Sequence, residues 1–263
     1  MILIDKPAGM TSFGVVARVR RVLTARENSE RAARGEAAVK RVKVGHTGTL
    51  DPFATGLLIL LTGKMTRESG RFLKLDKVYL ATLRLGATST TGDPEGEITL
   101  TPVDLAPVAN CCPEDTTAGR LAPLLAEQSS ANSPRSAFGA TNSHGAEQLR
   151  LVLRAFIGKI RQVPPIYSAI KIGGRRAYDL ARKGLVPEMP EREIEIYSIE
   201  VVKYAYPELI LRVHCSSGTY IRTLAEDIGK KLGVGAYLTA LRREKIGDYS
   251  VENAKKLTDF VTN

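Results

Sequence analysis

The sequence predicts an α+β fold: a mixed, mainly antiparallel central sheet with flanking helices, in a single domain that carries insertions. Alternating apolar residues mark strands, as in REIEIYSIEVVKY and ELILRVHCSS, which are joined around AYPEL. Apolar residues at helical spacing mark helices between the strands. The chain shows no internal repeat, and its 263 residues, 43% of them hydrophobic, are enough for a substantial core.

The N-terminal elements are predicted from short segments in chain order. ILID is a strand that ends at the turn KPAGMTS, and SFGVVARVRRVLTAR is a helix with an arginine face and Ser12 as its N-cap. The insertion near 26–40, ENSERAARGEAAVKR, has almost nothing to bury and predicts an exposed helical extension or a flexible segment. A fully buried strand, a short helix and an alternating strand follow in GLLILL, TRESGRFLKL and KVYLATLRLG.

The second insertion, near 101–144, is rich in Ala, Ser, Pro, Gly and Asn. It predicts a largely disordered surface segment with one short helix around Leu121–Leu125. Ordered structure is then predicted to resume with the helix AEQLRLVLRAFIG and with a turn, strand, basic glycine turn and short helix in VPPIYSAIKIGGRRAYDLARKG. The last elements are the two strands named above, the helix SGTYIRTLAEDIGKKLG ending at Gly233, the strand pair AYLTALRREKIGDYS and the closing helix VENAKKLTDFVTN.

The charge balance points to a polyanionic partner. Lys and Arg number 38 against 28 for Asp and Glu, a formal net charge of +10, which suits nucleic acid or an anionic membrane surface. The membrane alternative is weaker because no apolar run reaches the roughly 18 residues of a spanning helix. The segment MILIDKP lacks the pattern of a secretory signal.

Several common chemistries are not indicated. The three cysteines, Cys111, Cys112 and Cys215, form neither a metal-binding spacing nor a disulfide framework, which predicts a reducing cytoplasm or organelle matrix and no structural metal. The three histidines lie far apart, and neither a glycine-rich phosphate loop nor a serine nucleophile elbow is present.

Asp51 is the most informative carboxylate because GHTGTLDPFATGLLIL places it between a glycine-rich turn and a buried strand. By itself it is either a cap at an Asp-Pro turn or a nucleophile at the mouth of the core. Arg222, in SSGTYIRTLAEDIG, is either a solvated helix residue or a partner of Asp51 that would hold its pKa below the usual value of about 3.9. No second carboxylate, as a glycosidase would need, stands out in these motifs.

Five segments together resemble the TruB family of tRNA pseudouridine synthases, which isomerise the T-loop uridine at position 55 of tRNA. They cover about half of the chain in the family's order: IDKPAGMTSFGVVARVRR, VGHTGTLDPFATGLLIL, KVYLATLRLGATSTTGDPEGEI, VPPIYSAIKIGGRRAYDLARKG and SSGTYIRTLAEDIGKKLGVGAYLTALRR. The resemblance implies the pseudouridine synthase fold and an isomerase that uses no cofactor and no metal. It also implies a chain that binds the T-stem-loop of tRNA.

The resemblance also assigns roles to individual residues. Asp51 falls on the family's catalytic aspartate, which attacks ribose C1′ or uracil C6 by competing proposals, and Arg222 falls on the arginine that pairs with it. Tyr79 falls on the tyrosine that stacks on the target base and is suspected of assisting proton removal from C5. The remaining substrate-binding positions, at the pocket wall and at the space vacated by the flipped base, are Tyr220, Leu241 and His46.

Clusters of basic residues flank these segments and are expected to contact the RNA backbone, with affinity that falls as salt rises. They are Arg18, Arg20, Arg21, Lys40, Arg41, Lys43, Arg175 and Arg176. The chain departs from the family pattern in its two insertions and in ending near Asn263, where many members continue into a small RNA-binding domain. That domain is therefore expected to be absent or vestigial.

The sequence leaves three functions to compare. The first is a stand-alone, monomeric and cytoplasmic tRNA pseudouridine synthase with no membrane association and no obligate protein partner. The second is a tRNA-binding folding helper whose catalysis is secondary or lost, against which the presence of Asp51, Tyr79 and Arg222 speaks. The third is the catalytic subunit of a guide-RNA particle, which the short C-terminal part of the chain disfavours.

Overall fold

The computed structural model describes residues 1–101, 142–168, 170–182, 184–185 and 187–262. Within these ranges, none of the helices is long and apolar enough to span a membrane. The helices are α1 (Ser12–Ala33), α2 (Ser69–Leu73), α3 (Asn142–Arg154), α4 (Ala177–Ala181), α5 (Ile221–Leu232) and α6 (Leu257–Thr262), with 3₁₀ turns at Gly63–Glu68 and Val251–Asn253.

The strands include several long ones that form the centre of the sheet and several that span only two or three residues. They are β1 (Ile2–Lys6), β2 (Val44–His46), β3 (Thr55–Thr62), β4 (Lys77–Leu85), β5 (Ala87–Ser89), β6 (Ile98–Leu100), β7 (Gly158–Gln162), β8 (Lys171–Ile172), β9 (Arg175–Arg176), β10 (Arg192–Ala205), β11 (Glu208–Cys215), β12 (Ala236–Ile246), β13 (Tyr249–Ser250) and β14 (Lys255–Lys256).

One large sheet organises the described part of the chain, in the order β14-β1-β3-β12-β4-β11-β10-β7, with β2 paired to β3 and β13 to β12. Its pairs are antiparallel except β1 with β14 and β3 with β12. The parallel β3–β12 contact is short, joining Thr55 to Arg242 and Gly56 to Arg243. This junction matters for the site because β3 directly follows the Asp51 segment.

Strand β3 is apolar along its whole length because both of its faces are covered. Leu58 and Leu60 pack with Ile4 against the valines of α1 and against α6. On the other face, Leu57, Ile59 and Leu61 pack with Phe72 of α2 and Ile246 of β12. The unbroken run GLLILL is therefore the pattern of a doubly covered strand, as predicted.

The largest core lies on the face of the sheet that α3 and α5 cover. Alternate residues of β4 and β11 point into it, including Tyr79, Ala81 and Leu83, whereas their neighbours face the opposite side. The amphipathic α5 contributes its apolar face and ends at Gly233, whose φ of +78° is a left-handed conformation that glycine adopts without strain. The helix predicted around SGTYIRTLAEDIGKKLG is confirmed.

Most predicted elements are confirmed, with two corrections. In place of one closing helix over VENAKKLTDFVTN, a 3₁₀ turn and strand β14 precede the short α6. The other correction is at a helix start. The N-cap of α1 is Thr11, whose side chain accepts a hydrogen bond from the Gly14 amide, whereas Ser12 is the first helical residue and is buried. The segment near 26–40 is a helical extension through Ala33, followed by a non-regular segment. The surface insertion predicted near 101–144 lies almost entirely outside the described residues.

Candidate active site

The segment between β2 and β3 presents Asp51 and is tied to the first elements of the chain. The Ser12 hydroxyl donates to the Leu50 carbonyl over 3.0 Å and accepts from the Leu50 amide over 2.8 Å. The Gly9 amide donates to the Pro52 carbonyl, and the Ala54 amide donates to the Asp51 carbonyl. These contacts hold the backbone on both sides of Asp51, whose side chain keeps 34% exposure.

Arg222 lies in the first turn of α5 and turns inward, with only 6% of its side chain exposed. Its Nε lies 3.2 Å from Oδ2 of Asp51, and its Nη1 lies 3.0 Å from Oδ2 of Asp93. Further donated bonds from Nη1 and Nη2 reach the backbone carbonyls of Thr91 and Tyr167. The predicted contact with Asp51 is confirmed, and the alternative of a solvated helix residue is wrong.

Asp93 is a second carboxylate at this site, which inspection of the motifs missed. Its side chain is 4% exposed and accepts from the Thr91 hydroxyl over 2.6 Å and from the Glu95 amide over 3.1 Å, in addition to Arg222. Since its oxygens are occupied by these donors, Asp93 is placed to hold Arg222 rather than to meet a substrate. The sequence signal was the Gly-Asp-Pro turn after β5, which parallels Leu-Asp-Pro at Asp51.

The electrostatics of Asp51 differ from the sequence expectation. Burial raises the pKa of its carboxyl above the usual value of 3.8; Arg222, Lys6 and Arg243 oppose that rise and Asp93 adds to it. Arg222 acts in the expected direction, but the net shift of the Asp51 pKa is opposite to the expectation, because desolvation by burial is the largest influence.

Lys6, at the end of β1, brings a buried ammonium to the same region. It donates to the carbonyls of Pro7, Met10 and Pro52 at 2.9, 2.6 and 3.1 Å. Burial lowers its pKa to about 8, and the negative charge of Asp51 works against that shift. Lys6 therefore both fixes the chain next to Asp51 and adds positive charge there.

Tyr79 and Arg243 face each other across the β4–β12 pair. Tyr79 is 9% exposed, and the positive charge of the Arg243 guanidinium acts on its phenol. Burial raises the pKa of the Tyr79 phenol and Arg243 partly offsets this, so the phenol is protonated at neutral pH. Arg243 is only 1% exposed, and it also donates to the carbonyls of Leu57, Thr49 and Gly48.

Close packing makes the junction under the Asp51 segment rigid. Gly56, at φ +103°, pairs with Arg243, and a Cβ there would collide with the Arg243 backbone. The guanidinium of Arg243 then reaches past this contact to the carbonyls that precede Asp51. One buried side chain thus connects the segment presenting Asp51 with strand β3, from the strand position that pairs with Tyr79.

The other sequence-predicted pocket residues are brought to the same region. Tyr220 is the N-cap residue of α5, and its backbone is held at two points by the buried Gln162 amide. Leu241 is 7% exposed and belongs to the same apolar cluster as Tyr79 and Leu50. His46 ends β2, and its Nδ1 accepts from the Gly48 amide over 3.3 Å.

The predicted RNA-backbone residues lie at three places in the fold: α1, the segment before β2 and the β8–β9 hairpin. Arg20 and Arg21 belong to α1, and Lys43 immediately precedes β2. Arg175 is exposed in the β8–β9 hairpin, whereas the side chain of Arg176 falls outside the description. Among the side chains that are described, no group of three or more His, Cys, Asp or Glu is arranged to hold a metal ion.

We expect Arg243→Lys to lower kcat at least about tenfold, because the compact ammonium of lysine lacks the planar, extended guanidinium with which Arg243 reaches the carbonyls of Leu57, Thr49 and Gly48. Small misplacements of reacting groups cost up to about 100-fold. Each buried carbonyl left unpaired also costs about 1–3 kcal/mol. Single-turnover rates and urea unfolding measure both effects. Arg242→Lys is the matched control, since Arg242 pairs with Asp5 on a 38% exposed side chain. Equal effects of the two substitutions would contradict this prediction.

Comparison with known proteins identifies the family of this chain. The model of the TruB family pseudouridylate synthase N-terminal domain matches residues 36–115 and 124–221. The chain belongs to the TruB family. A model of the tRNA pseudouridylate synthase B C-terminal domain matches residues 222–262. These two ranges include Asp51, Asp93 and Tyr79 in the first and Arg222 and Arg243 in the second.

Curated TruB relatives align over nearly the whole chain. Each of three is named tRNA pseudouridine synthase B. The Dechloromonas aromatica protein is 38% identical over 100% of this chain and 70% of its own length. The Phocaeicola vulgatus protein is 38% identical over 99% of this chain and 91% of its own length. The Desulfotalea psychrophila protein is 40% identical over 98% of this chain and 85% of its own length.

Solved structures confirm the pseudouridine synthase fold of this TruB-family chain. A chain of a Cbf5-Nop10-Gar1 complex superposes with a TM-score of 0.59 at 25% identity, covering 99% of this chain and 53% of that one. A chain of the archaeal box H/ACA sRNP Nop10-Cbf5 complex gives a TM-score of 0.56 at 24% identity, covering 99% and 52%. This chain spans about half the length of those two chains.

Proposed function

We propose that this chain isomerises uridine to pseudouridine in the T-loop of tRNA, with Asp51 as the nucleophile. The observation that carries the proposal is the placement of Asp51: a partly exposed carboxylate on a fixed segment, paired with a buried arginine that a second carboxylate holds. A carboxylate held in this way is ready to attack without rearranging. Membership of the TruB family supports the same reaction.

The reaction follows from an ionised Asp51. Its oxygen bonds to the nucleotide at ribose C1′ or uracil C6, the glycosidic bond to N1 breaks, and the detached uracil turns and rejoins ribose through C5. The bond between Asp51 and the nucleotide then breaks, which restores the free carboxylate. The C5 proton is lost and N1 gains a proton, so the product has the same atoms as the substrate. No oxidant, metal or cofactor is needed to balance this step. Arg222 orients the carboxylate, and its charge favours the ionised form.

The pocket around Asp51 receives a base taken out of its stack. Extrusion from a folded loop costs a few kcal/mol, and stacking on an aromatic ring returns about 1–3 kcal/mol. We assign stacking to Tyr79 and the pocket wall to Tyr220 and Leu241. His46, next to the Asp51 segment, faces the space that the extruded base leaves in the RNA.

We propose that one chain is sufficient for this activity, because Asp51, Asp93, Arg222 and Tyr79 all come from the same chain. Backbone contacts by Arg20, Arg21, Lys43, Arg175 and Arg176 would supply affinity that does not depend on sequence. We therefore expect activity without a guide RNA and without a partner protein.

The test is tritium release from a tRNA transcript labelled with [5-³H]uridine, using the purified chain alone. We expect release from the natural transcript and none from a transcript whose T-loop uridine is replaced by cytidine. Binding to tRNA without release would favour a folding helper. Release that needs an added guide RNA or protein would favour the catalytic subunit of a particle.

The raised pKa of Asp51 predicts how the single-turnover rate depends on pH on the acid side. Because the nucleophile is the ionised form, the single-turnover rate should fall as pH drops through a pKa above the usual 3.8. Asp93→Asn removes a negative charge that raises this pKa, so the acid limb should move to lower pH. Asp76→Asn is the control, since Asp76 is not among the charges that act on Asp51. A limb that stays in place or moves upward in Asp93→Asn would refute the assignment.

A further inference from the structure

We propose that α1 and the segment that follows it form a groove for the phosphate backbone of RNA, in the stem next to the target loop. The groove, called here the α1 groove, encloses about 440 Å³. The proposal rests on the proposed function, because the target loop is the one that enters the Asp51 site. The groove is lined by Ala17, Arg20, Arg21, Thr24, Ala25, Asn28, Lys40 and Arg41.

The two walls of the α1 groove are held together by hydrogen bonds along the helix. Asn28 holds Val39 through both polar atoms of its side-chain amide: Nδ2 donates to the Val39 carbonyl over 3.2 Å, and Oδ1 accepts from the Val39 backbone N–H over 2.8 Å. One turn earlier, the Thr24 hydroxyl accepts from the Val42 amide over 3.1 Å. These contacts place Lys40 and Arg41 beside Arg20 and Arg21. The concave shape is therefore built into the fold.

The ion pairs of α1 and of the segment that follows it lie at the end of the helix away from the groove. Glu27 pairs with Arg31, and Glu36 pairs with both Arg31 and Arg34, so these carboxylates are neutralised at the far end of the helix. In the described ranges, no carboxylate lies within 4.0 Å of the cationic groups of Arg20, Arg21, Lys40 or Arg41. The α1 groove thus carries four positively charged side chains beside small and polar ones. Such a lining fits closely spaced phosphates rather than an apolar ligand.

The position of the groove relates it to the Asp51 site. Helix α1 starts at Ser12, which is bonded to Leu50, and at about 1.5 Å per residue Arg20 and Asn28 lie about 12 and about 24 Å along the axis from Ser12. The other wall, at Lys40 and Arg41, continues through β2 to the segment that presents Asp51. An RNA that places its loop at Asp51 would therefore meet the groove with its adjoining stem.

An exposed aromatic ring lies between the Asp51 site and the groove. Phe13, in the first turn of α1, is 64% exposed, and the Arg20 guanidinium lies 5.7 Å from its ring centroid. Phe13, Ala17, Arg20 and Thr24 follow one another at helical spacing on one face. An aromatic ring beside a line of cations is typical of surfaces that follow a nucleic acid chain.

The family resemblance alone does not account for this surface. The segment IDKPAGMTSFGVVARVRR, which carries the resemblance, ends at Arg21, while the matched range of the TruB family model begins at residue 36. The part of the helical wall from Thr24 to Asn28, with the clamp at Asn28, lies outside both.

The charge test compares two triple variants that lose the same net charge. The α1-groove variant is Arg21→Gln with Lys40→Gln and Arg41→Gln; the control is Lys203→Gln with Lys230→Gln and Lys256→Gln, three exposed lysines elsewhere. Binding of a T-stem-loop hairpin is measured over a salt series. We expect the slope of log K against log salt to fall by about 2–3 in the groove variant, roughly 0.7–0.9 for each lost phosphate contact, and to change little in the control.

A second variant separates position from charge. Asn28→Ala removes the clamp on Val39 but leaves the number of charges unchanged. We expect weaker hairpin binding, because Lys40 and Arg41 are no longer held beside the helix. The single-stranded loop sequence, which lacks the stem, should bind this variant and wild type equally.

The outcomes distinguish failure of this inference from failure of the proposed function. A wild-type chain that modifies tRNA, with a groove variant whose salt slope equals that of the control, would overturn the groove and leave the function standing. A groove variant that binds the hairpin normally but loses binding to phosphatidylserine vesicles would overturn it in favour of a membrane surface. A wild-type chain that releases no tritium would refute the function itself.

Discussion

Asp51→Asn is expected to abolish pseudouridine formation, with a loss of at least about 10⁴-fold in single-turnover rate, the scale seen when a covalent nucleophile is removed. The amide has nearly the same shape as the carboxylate but carries no charge with which to form the bond to the nucleotide. Tritium release from labelled tRNA measures the rate. Asp248→Asn, on the exposed turn before β13, is the matched control and should retain wild-type activity.

The same substitution should not weaken the fold. The pKa of Asp51 is raised in the folded chain, so ionisation of this group opposes folding as pH rises through that value. Removing the charge at neutral pH should therefore leave the thermal midpoint unchanged or higher, while Arg222 keeps its bond to Asp93. Loss of activity with a lower midpoint would mean that Asp51 is a structural cap, the alternative that the sequence left open.

Arg222→Met is the second large expected effect because it removes a buried charge from between two carboxylates. Removing one partner of a buried ion pair lowers the free energy of unfolding by about 3–5 kcal/mol. Asp93, at 4% exposure, would be left without its cation. The same change frees the Asp51 carboxylate from its orientation, so we expect kcat to fall about 100-fold or more. Urea unfolding and single-turnover kinetics measure the two effects.

Arg222→Lys distinguishes charge from geometry. A lysine supplies a charge but not the planar group that reaches Asp51, Asp93 and the carbonyls of Thr91 and Tyr167 together. We expect it to recover part of the stability and little of the rate. Arg212→Lys is the control, since Arg212 also bridges two carboxylates but is 41% exposed, where ion pairs contribute about 0–1 kcal/mol. Similar losses at both positions would contradict the role given to burial.

The sequence determined the fold class and indicated the candidate site residues, because both depend on local patterns. The run GLLILL indicates a strand covered on both faces, and α5 is indicated by its apolar spacing and by Gly233. Asp51, Tyr79 and Arg222 were identified through ordered motifs that resemble one family. The N-cap of α1 was an exception. Thr11 is the cap because the Ser12 hydroxyl is hydrogen-bonded to the Leu50 backbone, a contact that no local pattern contains.

The tertiary structure decided how the site residues act on one another. Arg222 and Asp93 are 129 positions apart, and Arg243 and Thr49 are 194 positions apart, so neither contact is visible in any motif. The sign of the Asp51 pKa shift was also beyond the sequence, because it depends on how much water the fold removes and on how Arg222 is shared. Residue types and spacing determined which groups are present; burial and long-range contacts determined their charge state, their partners and the single region in which they meet.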